Sequence, residues 1–183
     1  MMVLVLGGSG SGKSSYAETT AVALAQEGAG SAMKKYYLAT MQVFDGEGKR
    51  KVEKHRRLRA GKGFLTIEQP AAISGALEKM AEGERTVLLE CLSNLTANEM
   101  FPGGAVRTEQ QVTERITGEI GLLREQTTHL VVVSDNVFED GVVYDETTMA
   151  YIRAMGKINQ RLAALAENVV EVVAGIPLML KES

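Results

Sequence analysis

An apolar run, Met2-Val-Leu-Val-Leu6, that stops abruptly in Gly7-Gly-Ser-Gly-Ser-Gly-Lys-Ser14 leaves this chain few architectures. The spacing is G-x-x-x-x-G-K-[ST], with Gly7, Gly12, Lys13 and Ser14 at the fixed positions. Glycines let the backbone curl so that the N–H groups of Gly8, Ser9, Gly10 and Ser11 turn inward onto phosphate oxygens. A helix following the loop presents its positive end to the same anion. Lys13 then reaches the outer phosphates, and the Ser14 hydroxyl is placed to ligate magnesium. The motif needs a strand before it and a helix after it. Ser14 to Ala25 supplies the helix pattern, so the stretch reads as a nucleotide-phosphate loop. It announces a bound nucleotide without choosing a reaction.

The remainder alternates short apolar runs with helical periodicities. Tyr36–Ala39 reads as a second strand after a helix stop at Gly28–Ser31. Residues 45–62 are dense in lysine and arginine, and Val52, His55 and Leu58 recur there at helical spacing. Phe64–Glu68 reads as a strand, and Pro70 opens an expected helix reaching about Glu82. Thr86–Glu90 is a short buried strand ending in an acid. Ser93–Glu99 reads as a helix, with a break at Pro102-Gly-Gly104. Thr108–Gln126 carries Val112, Ile116, Ile120 and Leu123 on one face of a long helix. His129–Ser134 is unbroken enough for a strand buried on both faces. Glu146–Ala166 is a second long helix, Asn168–Ala174 a further strand, and Gly175–Lys181 an antiparallel edge strand where Pro177 is tolerated. Alternating strands and helices predict an α/β domain with a mainly parallel sheet covered on both faces, over residues 1–183 as one unit. Ligands should lie at the carboxyl ends of its strands.

A phosphate-loop enzyme needs a carboxylate at a neighbouring strand end to organise the magnesium shell, and Glu90 occupies that place. The bland alternative is an acid that ends a strand and caps the next helix. His55 has two readings as well. It is either a solvated histidine on a charged face or a nucleophile whose neutral imidazole attacks phosphorus while flanking arginines stabilise the phosphoryl oxygens. His129, at the start of a buried strand, reads as structural.

Composition narrows the partners. Lysine and arginine number 20 against 23 acids, a net charge of −3, which gives no support to nucleic-acid binding. Cys91 is the single cysteine, which rules out an intrachain disulfide and suits a reducing cytoplasm. The opening apolar run is too short for a signal peptide, and no stretch approaches membrane-spanning length. The expectation is a cytoplasmic protein without membrane insertion.

Met1 to Glu18 resembles the opening of the bifunctional adenosylcobinamide kinase / adenosylcobinamide-phosphate guanylyltransferase family of cobalamin biosynthesis. The resemblance continues in order through Tyr37-Leu-Ala-Thr40, Lys51-Val-Glu-Lys-His55-Arg56 and Thr66-Ile-Glu-Gln-Pro70. It returns in Leu88 to Asn98, in Lys157-Ile-Asn-Gln-Arg-Leu-Ala163 and in Ala174-Gly-Ile-Pro-Leu178. The resemblance implies a RecA-like, three-layer phosphate-loop fold assembled as a homotrimer. It also implies two activities on a corrinoid substrate. A nucleoside triphosphate, ATP or GTP, phosphorylates adenosylcobinamide. GMP then passes from GTP to adenosylcobinamide phosphate through a histidine, for which His55 is the matching position. Implied nucleotide contacts are Gly7 to Ser14, Ala39, Thr40, Met41, Arg56, Arg57, Leu58, Arg59, Glu68 and Glu90, with Mg2+ on Ser14 and Glu90. Ser134-Asp-Asn-Val-Phe138 stands where many members carry Ser-Asn-Glu-Val-Gly, which shifts the expected strand-end acid to Asp135. Two other functions remain open to a phosphate loop, a single-activity small-molecule kinase and a regulatory nucleotide switch. The Asn/Thr-Lys-x-Asp string with which switch GTPases read guanine is not evident.

Overall fold

Strand β1 (Met2–Gly7) runs through the middle of the sheet, with β5 (His129–Asp135) on one side and β6 (Asn168–Val173) on the other, both parallel to it. This computed structural model describes residues 1–27, 33–42, 59–137, 141–142 and 144–183. The other described strands are β2 (Lys34–Ala39), β3 (Phe64–Glu68), β4 (Arg85–Glu90) and β7 (Ile176–Lys181). Their order is β3-β2-β4-β5-β1-β6-β7, parallel throughout except for the β6–β7 hairpin. The expected α/β class, mainly parallel sheet and antiparallel C-terminal edge are therefore present. Pro177 lies on the edge strand opposite Val172, where its missing N–H interrupts no further pairing.

Burial explains why the central strands read so clearly. Leu130, Val131, Val132 and Val133 are all inaccessible to solvent, because helices cover both faces. Full burial of each such side chain is worth about 1.5–3 kcal/mol. Odd and even positions feed two separate cores. Leu4, Leu130, Val132 and Val169 pack under α2 (Leu92–Met100), α3 (Glu109–Glu125) and α4 (Glu146–Leu165). Val3, Val5, Val131 and Val133 pack against Ala17, Ala21 and Leu24 of α1 (Lys13–Gln26). The predicted stripe Val112, Ile116, Ile120 and Leu123 is the buried face of α3.

One expected element differs. The helix predicted from Pro70 to Glu82 is a short 3-10 segment, Ile73–Lys79. Its entry is held in another shape by tertiary hydrogen bonds. Asn98 Nδ2 donates to Pro70 O, Ala72 N–H donates to Glu99 Oε1, and Ala72 sits at φ 47°. The positive φ of Ala72 departs from the right-handed helical path, and Ser74 and Gly75 lower the intrinsic preference further. The predicted basic helix over 45–62 lies, apart from residues 59–62, outside the described residues, and so does Gly28–Ser31. Among the described residues no helix is long and apolar enough to cross a membrane.

Helix α3 begins at a reciprocal cap. Thr108 Oγ1 accepts from Gln111 N–H, and Gln111 Oε1 accepts from Thr108 N–H. Replacing Thr108 with Ala is expected to cost about 1 kcal/mol. That corresponds to a fall of roughly 2–4 °C in Tm for a domain of this size, read by calorimetry, while Thr108→Ser stays near wild type.

Candidate active site

Gly7 ends β1 in a position that accepts no side chain. A Cβ there would lie 2.5 Å from Ser11 Oγ and 2.8 Å from the Val172 carbonyl oxygen. Gly12, at φ 94°, takes a left-handed conformation immediately before α1, which only glycine adopts without strain. The loop is tied at both ends. Asn136 N–H donates to Gly7 O, and Gly175 N–H, in the β6–β7 turn, donates to Ser11 O at 2.8 Å.

Sheet register delivers three carboxylates to the loop side of the molecule. Ala39 of β2 pairs with Glu68 of β3 on one side and Glu90 of β4 on the other, so these three predicted residues form one row across the strand ends. On β5, Asp135 pairs directly with Gly7. Lys13 Nζ lies 2.7 Å from Asp135 Oδ1 and donates to Gly8 O at 3.1 Å. Ser14 Oγ donates to Glu90 Oε1 at 2.5 Å, and Tyr37 OH donates to Glu90 Oε2 at 3.0 Å. The Ser14 donation leaves its lone pairs unspent. A hydroxyl and a carboxylate side by side are an oxygen set suited to magnesium, which takes one or two protein oxygens and completes its shell with phosphate and water.

The other predicted residues fall into distinct roles. Thr40 is fully buried, and its hydroxyl both donates to Cys91 O and accepts from Cys91 N–H, each at 2.8 Å. It therefore fixes the backbone that carries Glu90. Met41 follows it at the carboxyl end of β2. Arg59 is buried with its guanidinium 3.4 Å from the centre of the Tyr37 ring, a cation–π contact. Arg59, Tyr37, Glu90 and Ser14 thus form a continuous chain of contacts running to the phosphate loop. His55, Arg56, Arg57 and Leu58 lie outside the described residues. His129 opens β5 at the amino end of the strands, away from the loop, and burial followed by the N-terminal amine pushes its pKa down.

Asp135 has close neighbours. Ser93 Oγ donates to its Oδ2, and Cys91 Sγ lies 3.4 Å from the same oxygen. Burial pushes the Asp135 carboxyl up, but Lys13, Ser93 and Cys91 together outweigh it and hold the group below the usual carboxylate range. The Cys91 thiol is pushed up to about 12 by burial and then by Asp135, so it is protonated at neutral pH. Sequence reasoning found Asp135 only as a displaced acid and gave Tyr37 and Ser93 no role. The signal for Tyr37 was its alternation with Ala39 on one face of β2. The signal for Ser93 was its position on the first turn after Glu90-Cys91.

Comparison with known proteins bears on this arrangement. A family profile described as cobinamide kinase / cobinamide phosphate guanyltransferase matches residues 3–180. The chain is 31% identical over 185 residues to the bifunctional adenosylcobalamin biosynthesis protein CobP of Pseudomonas aeruginosa, covering 99% of this chain and 98% of that one. It is 29% identical over 191 residues to the bifunctional adenosylcobalamin biosynthesis protein CobU of Escherichia coli, with 99% and 100% covered. Its Salmonella typhimurium counterpart is 30% identical over 190 residues, also with 99% and 100% covered.

The Lys13–Asp135 pair has a pH signature. In the wild type the folded-state pKa of Asp135 is depressed, so the stability it contributes is present above its unfolded pKa of about 3.9 and fades as pH falls through the lower folded value. In Lys13→Ala the burial remains while the largest opposing contact is gone. The Asp135 carboxyl is then expected to titrate at higher pH than in the wild type, and the stability it contributes at neutral pH shrinks. Carboxyl-carbon NMR titration reads this directly, and an Asp135 midpoint in Lys13→Ala at or below that of wild type would contradict the account.

Proposed function

The chain belongs to the cobinamide kinase / cobinamide phosphate guanyltransferase family, and we propose that it carries out both reactions in that description. In the first, the aminopropanol hydroxyl of adenosylcobinamide takes the terminal phosphoryl group of ATP or GTP. In the second, GMP passes from GTP to adenosylcobinamide phosphate, giving adenosyl-GDP-cobinamide and pyrophosphate. The observation that carries this reading is the convergence of Lys13, Ser14, Glu90 and Asp135 at the loop mouth, in a chain that matches the family from residue 3 to 180.

For both reactions the loop amides of Gly8 to Gly12 hold the phosphates, and Lys13 neutralises charge on the outer oxygens. Ser14 and Glu90 would hold Mg2+, which when bound screens the negative charge of the phosphate chain. Tyr37 keeps the Glu90 carboxylate oriented toward Ser14. For guanylyl transfer, the His55 imidazole attacks the α-phosphorus of GTP, a nitrogen–phosphorus bond forms, and the bond to the bridging oxygen breaks with pyrophosphate as leaving group. A phosphate oxygen of the corrinoid then attacks the same phosphorus, and the nitrogen–phosphorus bond breaks. Arg56, Arg57, Leu58 and Arg59 line the nucleotide in this scheme, with Ala39, Thr40, Met41 and Glu68 at the β2 and β3 strand ends. Support for that placement comes from Arg59, which terminates the basic run on Tyr37 beside Glu90. The enzyme acts in the cytoplasm as a homotrimer, without nucleic-acid partners.

Incubation with GTP labelled at the α-phosphate is expected to leave acid-labile, alkali-stable label on the protein. His55→Ala should abolish the label and lower guanylyl transfer roughly a thousandfold or more, while phosphorylation of adenosylcobinamide stays within a few-fold of wild type. Equal labelling of the two proteins, or none in either, would rule out the covalent route. Formation of ADP or GDP without any GMP-linked product would point to a kinase alone.

A further inference from the structure

Beyond the phosphate loop lies a cleft of about 820 Å3 to which neither the loop motif nor the family's name assigns a ligand. One wall is the loop itself, from Gly8 to Ser11. The opposite wall is the first half of α4, including Thr148, Tyr151 and Ile152, and the floor is the end of β6. Strand alternation explains the floor. Val169 points into the core under α4, so Glu171 and Val173 project on that same face, and with the helix drawn away from the strand end the space above them stays open. The cleft thus lies on the face of the sheet opposite α1.

Beyond the loop amides, its described lining is not one that attracts a phosphate. Among its described lining residues there is no lysine, arginine or histidine, and the one charged group among them is Glu171. Tyrosine, isoleucine and valine surfaces alternate with a few hydrogen-bonding groups, the composition of a site for a bulky molecule with large apolar faces. The cleft also communicates with the phosphates. Tyr151 OH donates to Ser93 O at 3.2 Å, Ser93 Oγ donates to Asp135, and Asp135 holds Lys13. A ligand lying on Tyr151 is therefore two residues, Ser93 and Asp135, from the ammonium group that would hold a terminal phosphate.

We propose that this cleft binds the phosphate acceptor, a bulky alcohol fringed with amides, with its apolar body against Tyr151, Ile152 and Val173 and its amide N–H groups toward Glu171. The assignment rests on the kinase reading above, because it takes the acceptor to be adenosylcobinamide. That molecule is a macrocycle fringed by neutral amides whose hydroxyl hangs on a flexible arm, and the arm supplies the reach to Lys13. The nucleotide then occupies the inner, amide-lined side of the loop and the acceptor the outer side, so the two need not compete for one surface.

The test is corrinoid binding, measured by equilibrium dialysis with the visible absorbance of adenosylcobinamide as readout and a non-hydrolysable triphosphate analogue present. Val173 is about half exposed, so tryptophan there fills the cleft without entering either core. Val173→Trp is expected to weaken corrinoid binding at least tenfold, with Val173→Ala within about threefold of wild type and analogue affinity unchanged in both. Ile152→Trp, from the opposite wall, gives the same readout should the first variant fold poorly. Unchanged corrinoid binding in a folded tryptophan variant would overturn the assignment. So would a tenfold loss of analogue binding, which would make the cleft a nucleoside pocket, or the absence of corrinoid binding to wild type. Corrinoid bound by wild type and displaced by Val173→Trp, yet never phosphorylated, would keep the cleft as a corrinoid site and sink the kinase reading instead.

Discussion

Because β1 is parallel to both of its neighbours, it cannot be reached from either by a tight turn; each connection must cross a face of the sheet. Its first exit is therefore the loop into α1, and beside the local bonds to Gly8 O, what braces the loop arrives from strands made much later in the chain. β5 contributes Asp135 opposite Gly7, and β6 contributes the Val172 carbonyl that excludes a side chain there. The loop's shape depends on this flanking more than on its glycines. Gly7 and Gly12 permit the curl, whereas Asn136, Val172 and Gly175 fix where it points.

The polar groups at the loop mouth satisfy one another before any nucleotide arrives. Lys13 spends itself on Asp135 and Gly8 O, Ser14 on Glu90, and Thr40 on the backbone of Cys91. A partly buried ammonium or carboxylate without such partners would cost several kcal/mol. Yet the partnerships do not exhaust the donors. An ammonium has three N–H bonds, and two contacts leave one for a phosphate oxygen. A serine hydroxyl that donates to Glu90 keeps its lone pairs for a cation. The site is thus preorganised with its ligand-directed valences still open, and binding requires addition more than exchange.

Much of this was legible from residue order. The valine-rich run of β5 has no other comfortable place than a doubly covered strand, and the spacing of Val112, Ile116, Ile120 and Leu123 marks the buried face of α3. The loop motif fixed Gly7 to Ser14, and the strand pattern before Glu90 placed that acid beside Ser14. What escaped was whatever depends on lateral neighbours. The segment after Pro70 carries an ordinary helical pattern, and only Asn98 and Glu99, far along the chain, turn it into a 3-10 segment. Tyr37 reads as one more apolar strand residue until β4 places Glu90 within reach of its hydroxyl. The cleft under α4 has no signature at all, since its walls come from four separate stretches and its emptiness is a matter of how far a helix lies from a strand end.

The hydrogen bond from Gly175 to Ser11 has a consequence for how the protein comes into being. Gly175 leaves the ribosome long after Ser11, and the two strands that flank β1 are likewise the fifth and sixth of the described seven to be made. A nascent chain therefore carries its phosphate loop unfinished until β5, β6 and the turn after β6 have followed, with an apolar β1 lacking both neighbours meanwhile. Competence to grip a nucleotide awaits the β6–β7 turn, which closes on a segment made long before it. The loop is synthesised well ahead of the parts that give it its working shape.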